Sequence, residues 1–181
     1  MTKTFYDELK DELQKGAYEK NHPFRYFTLG TVGLDQLARL RTVVLRQVTD
    51  DLVLTFYTDK RSKKITHMKE NDKVSLLFYH PKKLFQLKIE GIATIESDKK
   101  SLRKVWNAIG PKSKMDYITT IAPGSTIKSL DAITYLEKKD FFCMVEVKPF
   151  KIEYLKLNRP KHIRVRFSQN KGQWTGEFLV P

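Results

Sequence analysis

Two arginines, Arg41 and Arg46, bracket the β-branched run TVVL, and a short acidic turn separates them from FYTDKRSKK. The stretch from Arg41 to Lys64 therefore gathers two guanidinium groups with Tyr57, Thr58, Ser62, Lys63 and Lys64. Guanidinium grips an oxyanion through two parallel N–H bonds, and a starting helix turns its free amides toward the same kind of group. Lysines at a helix start are unfavourable unless an anion offsets them. The chemistry these residue types suit is recognition of a phosphate monoester. The plain alternative is a pair of solvated arginines followed by an ordinary basic helix start.

The surrounding pattern supplies the elements that must hold these groups. Residues 4–20 carry Phe5, Leu9, Leu13 and Ala17 at four-residue spacing, which predicts an amphipathic helix ended by the NHP segment at 21–23. Strands are expected at 24–32, 37–48 and 52–59, the last two joined by TDD at 49–51. A short helix follows at 61–71, then strands at 73–80 and 84–97. In the second of these, Leu84, Gln86, Lys88 and Glu90 alternate with Phe85, Leu87 and Ile89, one face polar and one buried. A helix at 98–110 has Ser97 or Asp98 as its cap, and 111–139 is irregular with room for one or two short helices. A long strand at 141–157 carries Pro149, which predicts a bulge or an edge. Strands at 162–169 and 172–180 close the chain as a hairpin turning at Asn170 and Lys171. Strands joined by hairpins, with helices set aside, predict a mainly β protein: an antiparallel barrel with an N-terminal helix and peripheral helices, in one domain over 1–181.

Composition narrows the partners. The 181 residues are 40% hydrophobic and 12% aromatic, which fits a folded globular chain. Lys and Arg number 34 against 21 Asp and Glu, a net charge of +13 that favours anionic partners. The lysines are spread along the chain, so much of this charge reads as a basic surface. The single cysteine, Cys143, lies in the apolar run FFCMVEV and is expected to be a buried structural thiol. The polar, mixed-charge start MTKTFYDELK does not resemble a signal peptide, and no apolar stretch reaches the ~20 residues of a membrane helix, so a cytoplasmic location is expected. GxGxxG, Walker, CxxC and HExxH patterns are absent, which removes the commonest dinucleotide, nucleotide and zinc signatures. His22, His67 and His80 lack ligand spacing, so no metal is expected, and Trp106 and Trp174 are expected as packing anchors.

FRYFTLGTV, RTVVLR, FYTDKRSKK, KVSLLFYH and FQLKIEGIATI, in that order, resemble the pyridoxamine 5'-phosphate oxidase family. The likeness covers residues 24–97 well and 141–181 loosely. It implies an FMN-binding split barrel that forms a homodimer with flavin at the subunit interface. By the same resemblance Arg41, Lys64, Ser62 and Lys63 would hold the FMN phosphate. Thr42, Val43, Val44, Leu45 and Arg46 would run along the flavin, and Tyr57 and Thr58 would line the ribityl and phosphate region. Gln86 would reach the ring edge across the dimer, and Arg166 would stand near the pyrimidine end. Where the family holds its substrate phosphate with Tyr, Arg and Ser, this chain has Val105, Ile109 and Ser113. The family's substrate-binding Arg and His fall on His162 and Arg164 in reversed order, Leu155 replaces a Trp, and Pro123–Gly124 replace a Gln–Ser pair. The resemblance thus implies an FMN-dependent oxidoreductase whose substrate is not pyridoxine phosphate. A non-enzymatic flavin or anion binder is the alternative, with a single-stranded nucleic-acid barrel its weaker variant.

Overall fold

A computed structural model describes all residues, 1–181. Helix α1 spans Lys3–Tyr18, followed by strands β1 (Tyr26–Val32), β2 (Ala38–Val48) and β3 (Leu54–Asp59). Helix α2 (Lys63–Glu70) leads into β4 (Lys73–His80) and β5 (Phe85–Ile95). Helices α3 (Lys99–Ala108) and α4 (Pro111–Lys114) precede β6 (Phe142–Lys156), β7 (Ile163–Asn170) and β8 (Gln173–Phe178). The sheet runs β3-β2-β1-β4-β5-β6, all neighbours antiparallel, and β6 pairs back onto β3. This closes a six-stranded barrel, with β7 and β8 extending beyond it along the second half of β6. No helix is long and apolar enough to cross a membrane.

Alternation fills the barrel. Phe27, Leu29, Val43, Leu45, Phe56, Leu76, Phe78, Leu87, Ile89 and Val145 belong to one buried core, and α1 adds Leu9, Leu13 and Ala17 to it. A smaller cluster of Tyr117, Phe142 and Met144 lies on the outside of β3 and β6, where Val105, Trp106 and Ile109 of α3 pack on it. The irregular segment is tied down by Arg61, which donates to the carbonyls of Thr119 (2.9 Å) and Thr120 (3.2 Å) and lies over the Phe141 ring.

Several boundaries move for local reasons. Pro23–Arg25 is a 3-10 turn capped by His22, so the strand expected from residue 24 starts at Tyr26. Leu52 and Leu84 have φ of 61° and 48° and sit in turns, which delays β3 and β5. The last hairpin turns at Lys171 and Gly172, both at positive φ, one residue later than expected; Gly172 favours that geometry. Asp98, rather than Ser97, caps α3. The Pro149 expectation holds: β5 and β6 shift register where Gly91 meets Pro149, and a Cβ on Gly91 would stand 2.8 Å from the Lys148 carbonyl.

Candidate cofactor and anion site

Arg41 and Arg46 are five apart on a strand, and alternation sends them to opposite faces. Arg41 shares the inner row with Leu29, its cross-strand partner, at the barrel end covered by α2. Its Nη1 donates to the carbonyls of Leu29 (3.2 Å) and Arg39 (2.8 Å) and to Thr31 Oγ1 (2.7 Å). That end of the guanidinium is fully engaged, so the Nε–Nη2 edge remains for a ligand. Thr31 Oγ1 lies 3.0 Å from His67 Nδ1; with the hydroxyl accepting from Arg41, its own proton goes to the imidazole.

Lys64, in the first turn of α2 at the same barrel end, lies close enough to Arg41 for the two charges to interact. Its Nζ donates to Thr58 Oγ1 (2.9 Å) and Ser62 Oγ (3.2 Å). Burial, and then the facing Arg41, push its pKa below the usual lysine value. Burial and then Arg41 likewise hold His67 below the ordinary histidine value. Neither Arg41 nor Lys64 is ion-paired with a carboxylate. Ser62 occupies the N-cap of α2 with no side-chain bond to the first turn; its carbonyl takes the Ile65 amide at 2.9 Å, and the Lys63 and Lys64 amides stay open beside the two cations. Two cations, two buried hydroxyls and free amides around one opening fit a phosphate with close to two negative charges.

Arg46 belongs to a different surface. The β2–β3 register slips between Leu45 and Gln47, leaving Arg46 as the extra residue of a bulge. Its guanidinium lies 5.3 Å from the Tyr57 ring, and its Nε is buried without a partner. It lines a cavity of about 700 Å³ with Lys20, Arg25 and Lys104, whose other wall includes Val105, Ile109 and Ser113. No Asp or Glu borders that cavity. Thr42 and Val44 also face outward, while Val43 and Leu45 are core residues.

The remaining expected residues are not brought to this opening within one chain. Gln86 sits on the outer side of β5, the barrel wall opposite β2, beside Tyr79 and Leu155. Arg166 pairs with Glu177 at 2.9 Å and Arg164 with Glu153 at 3.0 Å on the β7 extension. His162 Nδ1 accepts from the Asn158 amide in the connection before β7. Pro123 and Gly124 border a separate cavity of about 370 Å³ in the irregular segment.

One grouping escaped the sequence reading. His22 and His80, expected as ordinary, converge with Glu12 of α1, the three ligand-type atoms lying within 4.8 Å of one another. Glu12 is 1% exposed, pairs with Lys83, and has its Oε2 3.3 Å from His22 Nε2. Both rings accept a backbone amide at Nδ1, from Phe24 (3.1 Å) and Lys83 (3.3 Å). That places the imidazole proton on Nε2, which does not suit a metal donor set; Glu12 holds α1 to the barrel rim through Lys83, while its Oε2 stays without a hydrogen bond. A buried Glu on the apolar face of α1 was the available signal.

Comparison with known proteins shows the family and the fold. The model of the pyridoxamine 5'-phosphate oxidase FMN-binding domain matches residues 2–97, just over half of the chain. The chain belongs to that family. FMN is accordingly its cofactor. The pyridoxine/pyridoxamine 5'-phosphate oxidase of Zymomonas mobilis is 28% identical over 188 residues, covering 97% of this chain and 96% of that protein. The oxidase of Psychrobacter cryohalolentis is 37% identical over 94 residues, a stretch spanning 51% of this chain and 43% of the relative. Among solved structures, a pyridoxamine 5'-phosphate oxidase-related, FMN binding protein from Nostoc punctiforme superposes with a TM-score of 0.80 at 20% identity, over 97% of both chains. PhzG from Burkholderia lata, solved with tetrahydrophenazine-1-carboxylic acid, gives 0.75 at 17% identity over 99% of this chain and 90% of that one. These structural likenesses establish the split-barrel fold.

Proposed function

We propose that this protein is an FMN-dependent oxidoreductase that works as a homodimer. The observation that carries the reading is the approach of Arg41 and Lys64 at one barrel end, with hydroxyls and open amides but no paired carboxylate. In this reading Arg41, Lys64, Ser62 and Lys63 hold the cofactor phosphate, and Tyr57 and Thr58 border the chain that joins it to the ring. The backbone of Thr42 to Leu45 runs along the ring, with Thr42 and Val44 facing outward toward it. When bound, FMN supplies hydride transfer at its N5 atom.

A second copy is needed because Gln86 lies on the barrel wall opposite β2 and Arg166 on the β7 extension, so β2 of the same chain faces neither. Between those walls runs an exposed apolar belt: Tyr26 (59%), Leu40 (71%), Leu77 (40%) and Tyr79 (50%). Burying that belt against its counterpart brings Gln86 and Arg166 of the second copy over Thr42 and Val44. Gln86 then supplies ring-edge hydrogen bonds, and Arg166 the positive charge that flavin reduction calls for. Val105 and Ile109, standing where the family resemblance sets substrate-phosphate ligands, argue for a substrate other than pyridoxine phosphate.

Purified protein is expected to carry the visible absorbance of an oxidised flavin and to bleach when a hydride donor is supplied. Arg41→Ala is expected to elute colourless and folded. A variant that keeps its flavin as wild type does would remove Arg41 from the site.

A further inference from the structure

Arg25 lies in the 3-10 turn before β1, outside every group of residues that the family likeness brings to the flavin. Its Nη1 donates to the Ala17 carbonyl at 2.6 Å, which fixes the side chain between the end of α1 and the cavity. There it faces Arg46, and burial together with that facing cation depresses its pKa. Two guanidiniums are thus held near each other, with Lys20 and Lys104 on the same cavity and no carboxylate on its walls. Such an arrangement is unfavourable on its own, because each cation loses water and no carboxylate offsets their repulsion; only the Ala17 carbonyl and the Tyr57 ring compensate in part. The Nε of Arg46 is buried without a partner, which adds to the cost of holding that side chain in place. On the facing wall, Val105 and Ala108 of α3 and Ile109 just after it offer dispersion contact but no hydrogen bond, and Ser101 and Lys104 of the same helix are its polar groups.

We propose that Arg25, acting with Arg46, is the specificity-determining clamp of this cavity, and that its ligand is a small acid with an oxyanion head and an apolar body. The head lies between the two guanidiniums, with Lys104 and Lys20 closing the field around it. The body lies on Val105, Ala108 and Ile109. Arg25, Arg46 and Lys20 come from the barrel side and from the end of α1, while α3 brings Lys104 beside an apolar stretch that selects for shape. The apolar stretch of that wall favours an apolar body over a hydroxyl-rich one. The cavity of about 700 Å³ accommodates one ligand of this size. The proposal rests on the preceding reading only in calling this acid a substrate; the anion site itself stands without flavin.

The test is calorimetric titration of the full chain, with and without FMN, using benzoate, phenyl phosphate and uncharged benzyl alcohol. Wild type is expected to bind at least one of the two acids and to ignore the alcohol; which acid binds tells carboxylate from phosphate. Arg25→Ala is expected to weaken that binding by roughly 10- to 100-fold, while flavin absorbance per chain stays at the wild-type level. Because Arg25 also anchors α1, Lys104→Ala serves as a second variant on an exposed helix position, with a smaller loss of roughly threefold to tenfold. Arg25→Lys should recover part of the affinity. Equal binding of acid and alcohol, or unchanged acid binding in both Ala variants, would overturn the proposal. A colourless protein that still binds the acid would instead count against the flavin reading alone.

Discussion

Lys64→Met separates a cofactor-holding lysine from a structural one, because the two roles predict opposite costs. The ammonium donates to Thr58 and Ser62 at 2.9 and 3.2 Å while facing Arg41. Methionine keeps the length and the apolar stem and removes only the charge. Without cofactor, two hydrogen bonds disappear at a cost of about 1 kcal/mol each, but the desolvation of Lys64 and its repulsion with Arg41 disappear too. The apo-protein should therefore stay within about 1 kcal/mol of wild type. With cofactor, one charge-assisted bond of about 1.5–3 kcal/mol is lost, which weakens FMN roughly 10- to 150-fold. A pH signature accompanies this. The folded pKa of Lys64 lies below the usual lysine value of 10.5, so in that window the unfolded chain holds more protons. Apo stability then rises as pH climbs from the folded value to 10.5, and the variant lacks that rise. Calorimetry with FMN and thermal unfolding of the apo-protein read both quantities. Wild-type FMN affinity, or a loss of about 2–5 kcal/mol as in a core deletion, would refute the reasoning.

Charging the apolar belt with Leu77→Glu and Tyr79→Glu together should give a monomer by light scattering, and the monomer should lose most of its flavin. Acid should also loosen the fold through His67. Its folded pKa lies below 6.5, so stability present at neutral pH falls as pH drops through 6.5 toward the folded value, and His67→Asn should flatten that slope in melts between about pH 5 and 7.5. Cys143 is buried, with its thiol pushed up to about 11. Alkylation at pH 8 should therefore run on the order of 100-fold slower in the folded chain than after unfolding.

The barrel was legible because alternation is a local signal: the Phe85, Leu87, Ile89 row announces its buried face without any tertiary knowledge. Pro149 announced its bulge for the same reason, since a residue without an amide proton cannot join the ladder. What stayed hidden depends on turns and closure. Leu52 and Leu84 adopt left-handed geometry that no β-propensity forecasts, and both delay a strand. The Arg41–Arg46 pair looked like one cluster along the chain, yet alternation and the bulge at Arg46 divide it between the barrel mouth and the outer cavity. Arg25 and the Glu12–His22–His80 grouping came from neighbourhoods made only when α1 folds against the barrel rim. Gln86 and Arg166 were placed by family likeness, and one chain alone leaves them away from the mouth.

The central claim is that the mouth between Arg41 and Lys64 takes the phosphate of FMN. Parallel titration of apo-protein with FMN and with riboflavin, which lacks the phosphate, tests it most directly. The account predicts that wild type prefers FMN by roughly 100-fold or more, from two charge-assisted contacts. It also predicts that Arg41→Ala and Lys64→Met each shrink this preference while leaving riboflavin affinity unchanged. Equal affinity of wild type for the two flavins would contradict it.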